Sequence, residues 1–470
     1  MAMAPVIFQP ELGASALVEQ VTGELLLKCA GARALAERLN AVGARFGDAL
    51  DVLHVTPSAE FRRELAARGF ERLSGARAPS GTELWEHPRA LLPLFDLGPG
   101  SKLRGYLRTD SVVDFLEANA PARLGAVEGA PFAPVRRVLV AEAEDAELWL
   151  AERRAERSRV SAPELVSGPG PAAMLRHLEA FQLRPRPLDA PETGFERALV
   201  LAEAARAELG AALACELFFE AERRFYALRN RAARLQKARQ DALGLGWFNR
   251  DHHTYRSSRV WFRSLVAVLE ALGLRCRERF YAGREAGWGA QVMEHPETLT
   301  CVFADVDLSA DEITGDFPHE GLAPRPSLGT VGLWCELHGE AFLAAGMHHL
   351  ECQFEIEAVT RQFREQGIGV MPRFTDFPHL KQAFTEGEIW PVAANRLARA
   401  EQVGLLGATQ AERLRREGAI GSHFEVLERN AGYRGFNQEG INRIILATDP
   451  RRAAGPAEHA AGGDRISSGE

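Results

Sequence analysis

Ten of the thirteen histidines of this chain lie at or beyond position 252, and two of them open the stretch Asp251-His252-His253-Thr254-Tyr255-Arg256. Read as a strand, that stretch alternates its side chains, so His252, Thr254 and Arg256 share one face while His253 and Tyr255 take the other. An imidazole able to bind a metal then stands beside a guanidinium able to hold a carboxylate through its planar fork. A second adjacent pair, His348-His349, leads into a segment in which His349, Glu351 and Gln353 share a face, and His423 and Glu425 do so near the end. Two histidines and one carboxylate on one side of a divalent metal leave positions open for substrate and O2. The candidates are His252, His349 and Glu425, from three separate strands, a spacing less specific than His-Glu-x-x-His on one helix. His253, His348 and His423 are their substitutes or the partners that fix imidazole tautomers. The plainer alternative is a set of satisfied core histidines, with Arg256 paired to Asp251 or Glu294.

The elements that must position these residues follow from periodicity. Gly244–Arg259 reads as a strand feeding a helix, because Phe262, Leu265, Val266, Val268, Leu269 and Leu272 recur at helical spacing. Arg275–Tyr281, Ala290–Glu294 and Leu299–Leu308 complete a βαβββ unit, and Pro318–Gly329 reads as a loop. A further unit runs from Met347–Phe354 as strand through Ile356–Gln366 as helix and Gly367–Arg373 as strand. An insertion, Phe374–Gly418, precedes its last strand at Ser422–Arg429, and a helix is expected from Gln438 to Ala447.

The first third repeats this grammar. Helices over residues 1–47 precede strands at Asp51–Thr56, Thr82–His87 and Leu91–Leu97 with a helix at Glu60–Arg68; then come Leu103–Arg108, a helix at Ser111–Asn119, and a hairpin of Arg137–Ala143 with Ala146–Glu152. Residues 156–243 read as a Pro/Gly linker and a helical spacer, and 450–470 is too poor in apolar groups to fold. The fold class is therefore α+β: tandem βαβββ units in two paired domains, 48–155 and 244–449, joined by a helical segment.

Two short matches tie the domains together. Glu86-His87-Pro88 recurs as Glu294-His295-Pro296, and Trp149-Leu150-Ala151-Glu152-Arg153 lies over Glu425-Val426-Leu427-Glu428-Arg429. Trp149 then stands where the second domain has Glu425, so the first domain is expected to keep the fold without a metal site. A formal charge of -8 offers no basic surface for nucleic acid or anionic membrane. No apolar run is long enough to span a bilayer and no basic n-region opens the chain, so a cytoplasmic protein is expected. Its six cysteines lack a Cys-x-x-Cys spacing and read as reduced. No phosphate-binding Gly-x-x-x-x-Gly-Lys and no Gly-x-Ser-x-Gly elbow occurs.

Tandem βαβββ units with His on the first strand of each half and Glu on the last resemble the vicinal-oxygen-chelate superfamily. Within it, residues 251–449 resemble the 2-oxoadipate dioxygenase/decarboxylase family, on His252-His253-Thr254-Tyr255-Arg256, Ala271-Leu272-Gly273-Leu274, Phe280-Tyr281, His348-His349-Leu350 and Phe424-Glu425-Val426-Leu427-Glu428-Arg429. Lys381-Gln382 matches that family's polar segment between the second His and the Glu. The stretch between the two histidines is shorter here. The layout of a silent front pair and a metal-bearing back pair is also similar to 4-hydroxyphenylpyruvate dioxygenase. The resemblance implies Fe(II) held by His252, His349 and Glu425, a 2-oxo acid and O2 as substrates, a hydroxy acid and CO2 as products, Arg256 and Lys381 binding substrate, and Arg256 and Gln382 serving catalysis. The rival readings are a divalent-metal isomerase or lyase that does not use O2, and a binding protein without catalysis.

Overall fold

The computed structural model describes residues 8–74, 83–119, 125–154, 156–161, 170–437 and 449–451. Two mixed sheets carry the molecule. The second holds β8 (Arg250–Arg256), β9 (Arg275–Tyr281), β10 (Trp288–Glu294), β11 (Cys301–Asp307), β12 (His349–Gln353), β13 (Thr375–Phe377), β14 (Leu380–Phe384) and β16 (Ala419–Arg429), in the order β13-β14-β16-β12-β8-β11-β10-β9, with β15 (Glu388–Trp390) on the side of β16. Each half starts with a strand, crosses through a helix, and returns by an antiparallel meander that brings its last strand back parallel to its first: β11 beside β8, and β16 beside β12. The two first strands, β8 and β12, pair antiparallel at the middle. This is a pair of βαβββ units sharing one sheet.

The first sheet has the same plan. Its strands β1 (Leu50–Val55), β2 (Glu71–Arg72), β3 (Glu83–Glu86), β4 (Leu94–Leu97), β5 (Leu103–Thr109), β6 (Val135–Glu142) and β7 (Ala146–Arg153) lie in the order β2-β3-β4-β1-β5-β7-β6. The first strands β1 and β5 again pair antiparallel at the middle. Among the described residues the second unit here has one strand fewer, and only a bridge from Glu128 to Arg137 extends it. The N-terminal helices α1 (Leu12–Lys28) and α2 (Ala30–Asn40) do not stand apart: Leu17, Val21, Leu25 and Leu35 join the core of the first sheet.

One face of the second sheet is apolar and covered. Tyr255, Val302, Ala304, Leu350, Cys352, Phe424 and Val426 share a core with Phe181, Phe218 and Phe219 from α5 (Pro171–Leu183) and α7 (Ala211–Arg229). The connecting helix α9 (Phe262–Ala271) is too short to hold in water alone. It buries Phe262, Leu265, Val266, Val268 and Leu269 on that core, each worth about 2 kcal/mol. The other connecting helix, α12 (Ile356–Glu365), presents Ile356, Val359 and Phe363, and its first turn is capped by the Glu355 carboxylate, which accepts from the Glu357 and Ala358 amides. Glu222 of α7 is fully buried and is held by Arg184 and Arg186 of the loop that follows α5. The opposite face is divided: Phe280, Trp288, Val292 and Phe303 form an apolar cluster over β9, β10 and β11, and His252, Glu351 and Glu425 stand at the middle.

Three expectations need correction. Gly367–Arg373 is not a strand: Gly367 adopts φ +67 after α12 and Pro372 removes a ladder donor, so only Val370 makes a bridge, to Thr385. The strands of that unit, β13 and β14, come from what reads in sequence as an insertion. The true excursion between β14 and β16 carries β15 and two amphipathic helices, α13 (Ala394–Gln402) and α14 (Ala408–Glu417). The loop at 318–329 includes most of a short helix, α10 (Phe317–Glu320), and leads into a buried one, α11 (Thr330–His338). The helix expected at 438–447 lies outside the described residues.

Candidate metal centre

Strand register decides which side chains meet. Across the middle of the second sheet Glu351 lies opposite His252 on one side and Glu425 on the other. His252, Glu351 and Glu425 therefore form one tier, and ligating atoms from all three lie within 4.8 Å of one another. His349 is one step along, level with Thr254 and His423. It still reaches the tier, its Nδ1 being 3.5 Å from Glu351 Oε1, while His252 Nε2 is 3.3 Å from the same oxygen. The expected trio of His252, His349 and Glu425 is thus gathered around Glu351, which sequence reading placed on the right strand face without assigning it a role.

Neighbouring groups fix the orientation of this tier. Asp251 is the extra residue of a β-bulge in β8 against β12. The bulge turns its carboxylate beside His252, whose Nδ1 donates to Oδ1 at 2.9 Å. That tautomer leaves the Nε2 lone pair aimed at the tier, the arrangement of a metal-binding imidazole with a carboxylate behind it. Asp251 is itself held by Gln353 Nε2 and Arg429 Nε, each 2.8 Å from Oδ2. Thr254 Oγ1 donates to Glu351 Oε1 at 2.7 Å, and Gln382 Nε2 donates to Glu425 Oε1 at 2.8 Å. Sequence reading missed Asp251 as the anchor of His252. The signal was present, an acid immediately before the histidine, but the bulge that makes it useful leaves no mark in strand alternation.

Burial sets the charges. Buried at 4% and 5% exposure, His252 and His349 are both pushed below the usual imidazole range; Asp251 partly opposes this for His252, whereas the nearby charges of His423 and Arg256 add to it for His349. Both are neutral at pH 7, as an imidazole must be to bind a metal. Burial, with Glu425 alongside, pushes the Glu351 carboxyl well above its ordinary value, and burial raises Glu425 to about 8 although Gln382 favours its charged form. Two buried carboxyls that cannot both ionise alone, two lone-pair imidazoles, and a Glu351 Oε2 with no donor fit a divalent cation.

The remaining candidates separate. Arg256 shares the strand face of His252 and Thr254 and is buried, with its guanidinium carbon 5.5 Å from the Trp334 ring. It has no hydrogen-bond or ion-pair partner among the described residues, its Nε is fully enclosed, and burial lowers it to about 10. Asp305 is level with it on β11, without forming an ion pair, and burial raises that carboxyl to about 8. Lys381 does not reach the site: next to inward-facing Gln382 on β14, it projects from the opposite face and pairs with Glu428 at 2.9 Å. His253 also faces away, packed against Phe219 with Nδ1 3.3 Å from the Cys301 carbonyl. His348 and His423 lie near His349, each with Nδ1 on a backbone carbonyl, of Gly421 and Thr385.

In the first sheet the same register gives a different tier. Tyr106 lies opposite Val52 and Trp149, and Leu94 occupies the place that Cys301 has beside His252. These four close into an apolar cluster with Tyr106 stacked on Trp149. No group of metal-ligating atoms occurs there among the described residues.

No family model matches the chain, and no curated protein matches it. Solved structures that resemble it include methylmalonyl-CoA epimerase from Mycobacterium tuberculosis, at 11% identity over 39% of this chain and 88% of that one, with a TM-score of 0.23. A protein assigned to the glyoxalase superfamily from Ralstonia eutropha JMP134 has 13% identity over 55% of this chain and 96% of its own, at 0.31. A variant of 4-hydroxymandelate synthase from Streptomyces coelicolor has 13% identity over 85% and 97%, at 0.29. Likeness at this level carries no argument of its own, and the α+β fold of paired βαβββ units rests on the strand order and register of the chain itself.

Proposed function

We propose that this chain is a vicinal-oxygen-chelate enzyme, a non-haem Fe(II) dioxygenase/decarboxylase that converts a 2-oxo acid, of the 2-oxoadipate kind, to a hydroxy acid and CO2. The observation that carries the reading is the pairing, on one strand face, of the His252–Glu351–Glu425 tier with the buried, unpartnered guanidinium of Arg256. His252 and Glu425, with His349 or Glu351, would hold the metal, which when bound supplies O2 activation and polarises a 2-oxo acid. The overall conversion balances: the substrate loses its carboxyl carbon as CO2, and both atoms of O2 enter the products.

The residues of the chain bind and orient. Arg256 offers a preformed fork to a substrate carboxylate where little water competes. Asp251 and Gln382 keep His252 and Glu425 from turning, so the substrate meets a fixed frame. The neutral imidazoles of His349 and His423 do not compete with Arg256 as cations for the carboxylate.

Protein loaded with Fe(II) under air should consume O2 and release CO2 with a 2-oxo dicarboxylic acid, and zinc-loaded protein should not. Arg256→Ala should raise KM by about tenfold or more while lowering kcat less, because it removes binding shared by ground and transition states. A second reading has its own support: Glu351 makes the donor set richer in hard oxygen than two histidines and one carboxylate, which suits a Lewis-acid isomerase or lyase. Turnover without O2 and with zinc or magnesium would establish that reading and reject the oxygenase.

A further inference from the structure

A cavity of about 500 Å³ lies between the two domains, and its walls come from equivalent positions of both. Asp51 on β1, like Asp251 on β8, is the extra residue of a bulge in the central strand pair. Each is gripped by the arginine that ends the last strand of its domain: Arg153 Nε is 2.8 Å from Asp51 Oδ2, as Arg429 Nε is from Asp251 Oδ2. All four residues line the cavity. The register extends the match, because Tyr106 faces Val52 as Glu351 faces His252. Two residues further on, Arg108 therefore corresponds to Gln353, and both line the cavity. The same end of each sheet faces this space, and at that position the first domain adds a charge.

The lining is rich in arginine, and carboxylates behind it answer part of that charge: Glu86 pairs with Arg157 at 3.1 Å, and Asp110 and Glu216 each pair with Arg250 at 3.0 Å. Eight arginines line the cavity against five carboxylates, in a chain whose formal net charge is -8. The carboxylates are already engaged. Arg153, Arg108 and Arg157 together hold Asp51 below its ordinary range in spite of burial, and Glu294 serves both Arg277 at 2.8 Å and Arg434 at 2.7 Å. Arg108 forms no ion pair among the described residues and donates to the carbonyls of Phe248 and Arg250. Burial and the neighbouring Arg250 depress it to about 10. Held through Nε and Nη2, Arg108 keeps its Nη1 donors for an added anion, which would relieve the cost of burying that guanidinium without a counter-charge.

We propose that this interdomain cavity binds a small organic polyanion, bearing two or more carboxylate or phosphate groups, with Arg108 as a principal contact. Its volume is that of a small-molecule site. An occupant that engages Arg429 competes with Asp251 for that guanidinium, and Asp251 holds His252, so the cavity is in contact with the support of the metal tier. The first domain then has a role in ligand binding, supplying Arg108 and Arg153, with Arg157 from the segment just after it, to a site that the second domain alone would lack.

The test uses the full chain, thermal denaturation and titration calorimetry at constant ionic strength. Tricarballylate and inorganic sulfate are the probes, and acetate is the singly charged control. The expected result is a saturable rise in the melting midpoint with one or both polyanions and none with acetate. A stronger response to tricarballylate identifies polycarboxylates as the class, and a stronger response to sulfate identifies phosphate-like oxyanions. Arg108→Gln, which installs the second domain's residue, should weaken binding by about tenfold or more. Arg157→Gln, titrated in the same way, covers the case in which loss of the Arg108 contact to Phe248 loosens the fold. The titrations use metal-free protein and need no turnover, so failure of the metal reading leaves this test intact. No response to either polyanion, a response that follows ionic strength alone, or unchanged affinity in both arginine variants overturns the proposal.

Discussion

Glu351 and Glu425 hold more protons in the folded, metal-free protein than in the unfolded chain, because burial raises both, Glu425 to about 8. A carboxyl raised on folding contributes stability that is complete below its unfolded pKa of about 4.3 and is lost as pH climbs through the folded value. The buried histidines are lowered instead, and their effect is finished above about pH 6.5. From about pH 6.5 to 8.5 the metal-free protein should therefore lose stability by about 1 kcal/mol per pH unit per group, and Glu351→Gln should flatten the slope. Denaturant melts at several pH values check this. Metal affinity should rise over the same window, with protons released on binding that calorimetry in buffers of different ionisation enthalpy can count. Asp251→Asn should lower metal affinity by about 10- to 100-fold with the fold retained, since it disturbs the His252 tautomer without removing a ligand; a metal titration followed by circular dichroism measures both. At this scale the sequence showed the donor types and their strand faces. It did not show the register, and register is what puts Glu351, two residues beyond His349, in the middle of the cluster.

The elements repeat more closely than the short sequence matches suggest. Glu428 on β16 accepts from the amide of Ile356, the first residue of α12, and Glu152 on β7 accepts from the amide of Val112, the first residue of α4 (Val112–Asn119). Each glutamate satisfies a donor that the helix start would leave orphaned, so it serves folding in both copies while its neighbours diverge. Trp149, in register with Glu425 and stacked on Tyr106, shows the divergence. Trp149→Glu should cost about 2–4 kcal/mol from lost packing and should create no metal site, because Tyr106 fills the place of Glu351. Urea melts with metal titration test both halves of that statement. The βαβββ grammar was legible because α3 (Ala59–Ala67), α4, α9 and α12 each follow a strand at a short interval. The strands β13 and β14 were not legible: Thr375–Phe377 and Leu380–Phe384 are short, with a turn at Pro378, and nothing in their composition separates them from the excursion that follows.

At the scale of the whole molecule, ligands on both sides of the β8/β12 pairing acquire a mechanical meaning. The first domain closes the matching joint, β1 against β5, with Val52 and Tyr106, permanently. The second has His252 from one unit and Glu351 and Glu425 from the other at that place, so a bound cation would act as a rivet on the polar face of a joint whose other face is closed by the shared apolar core. Removing the rivet should shorten the lifetime of that strand pair. Amide hydrogens of β8 and β12 should exchange up to about 100-fold faster after chelation, if the metal had been present at about 100 times its Kd. Amides of β1 and β5 should keep their rates; equal acceleration in both sheets would mean that the domains open as one body.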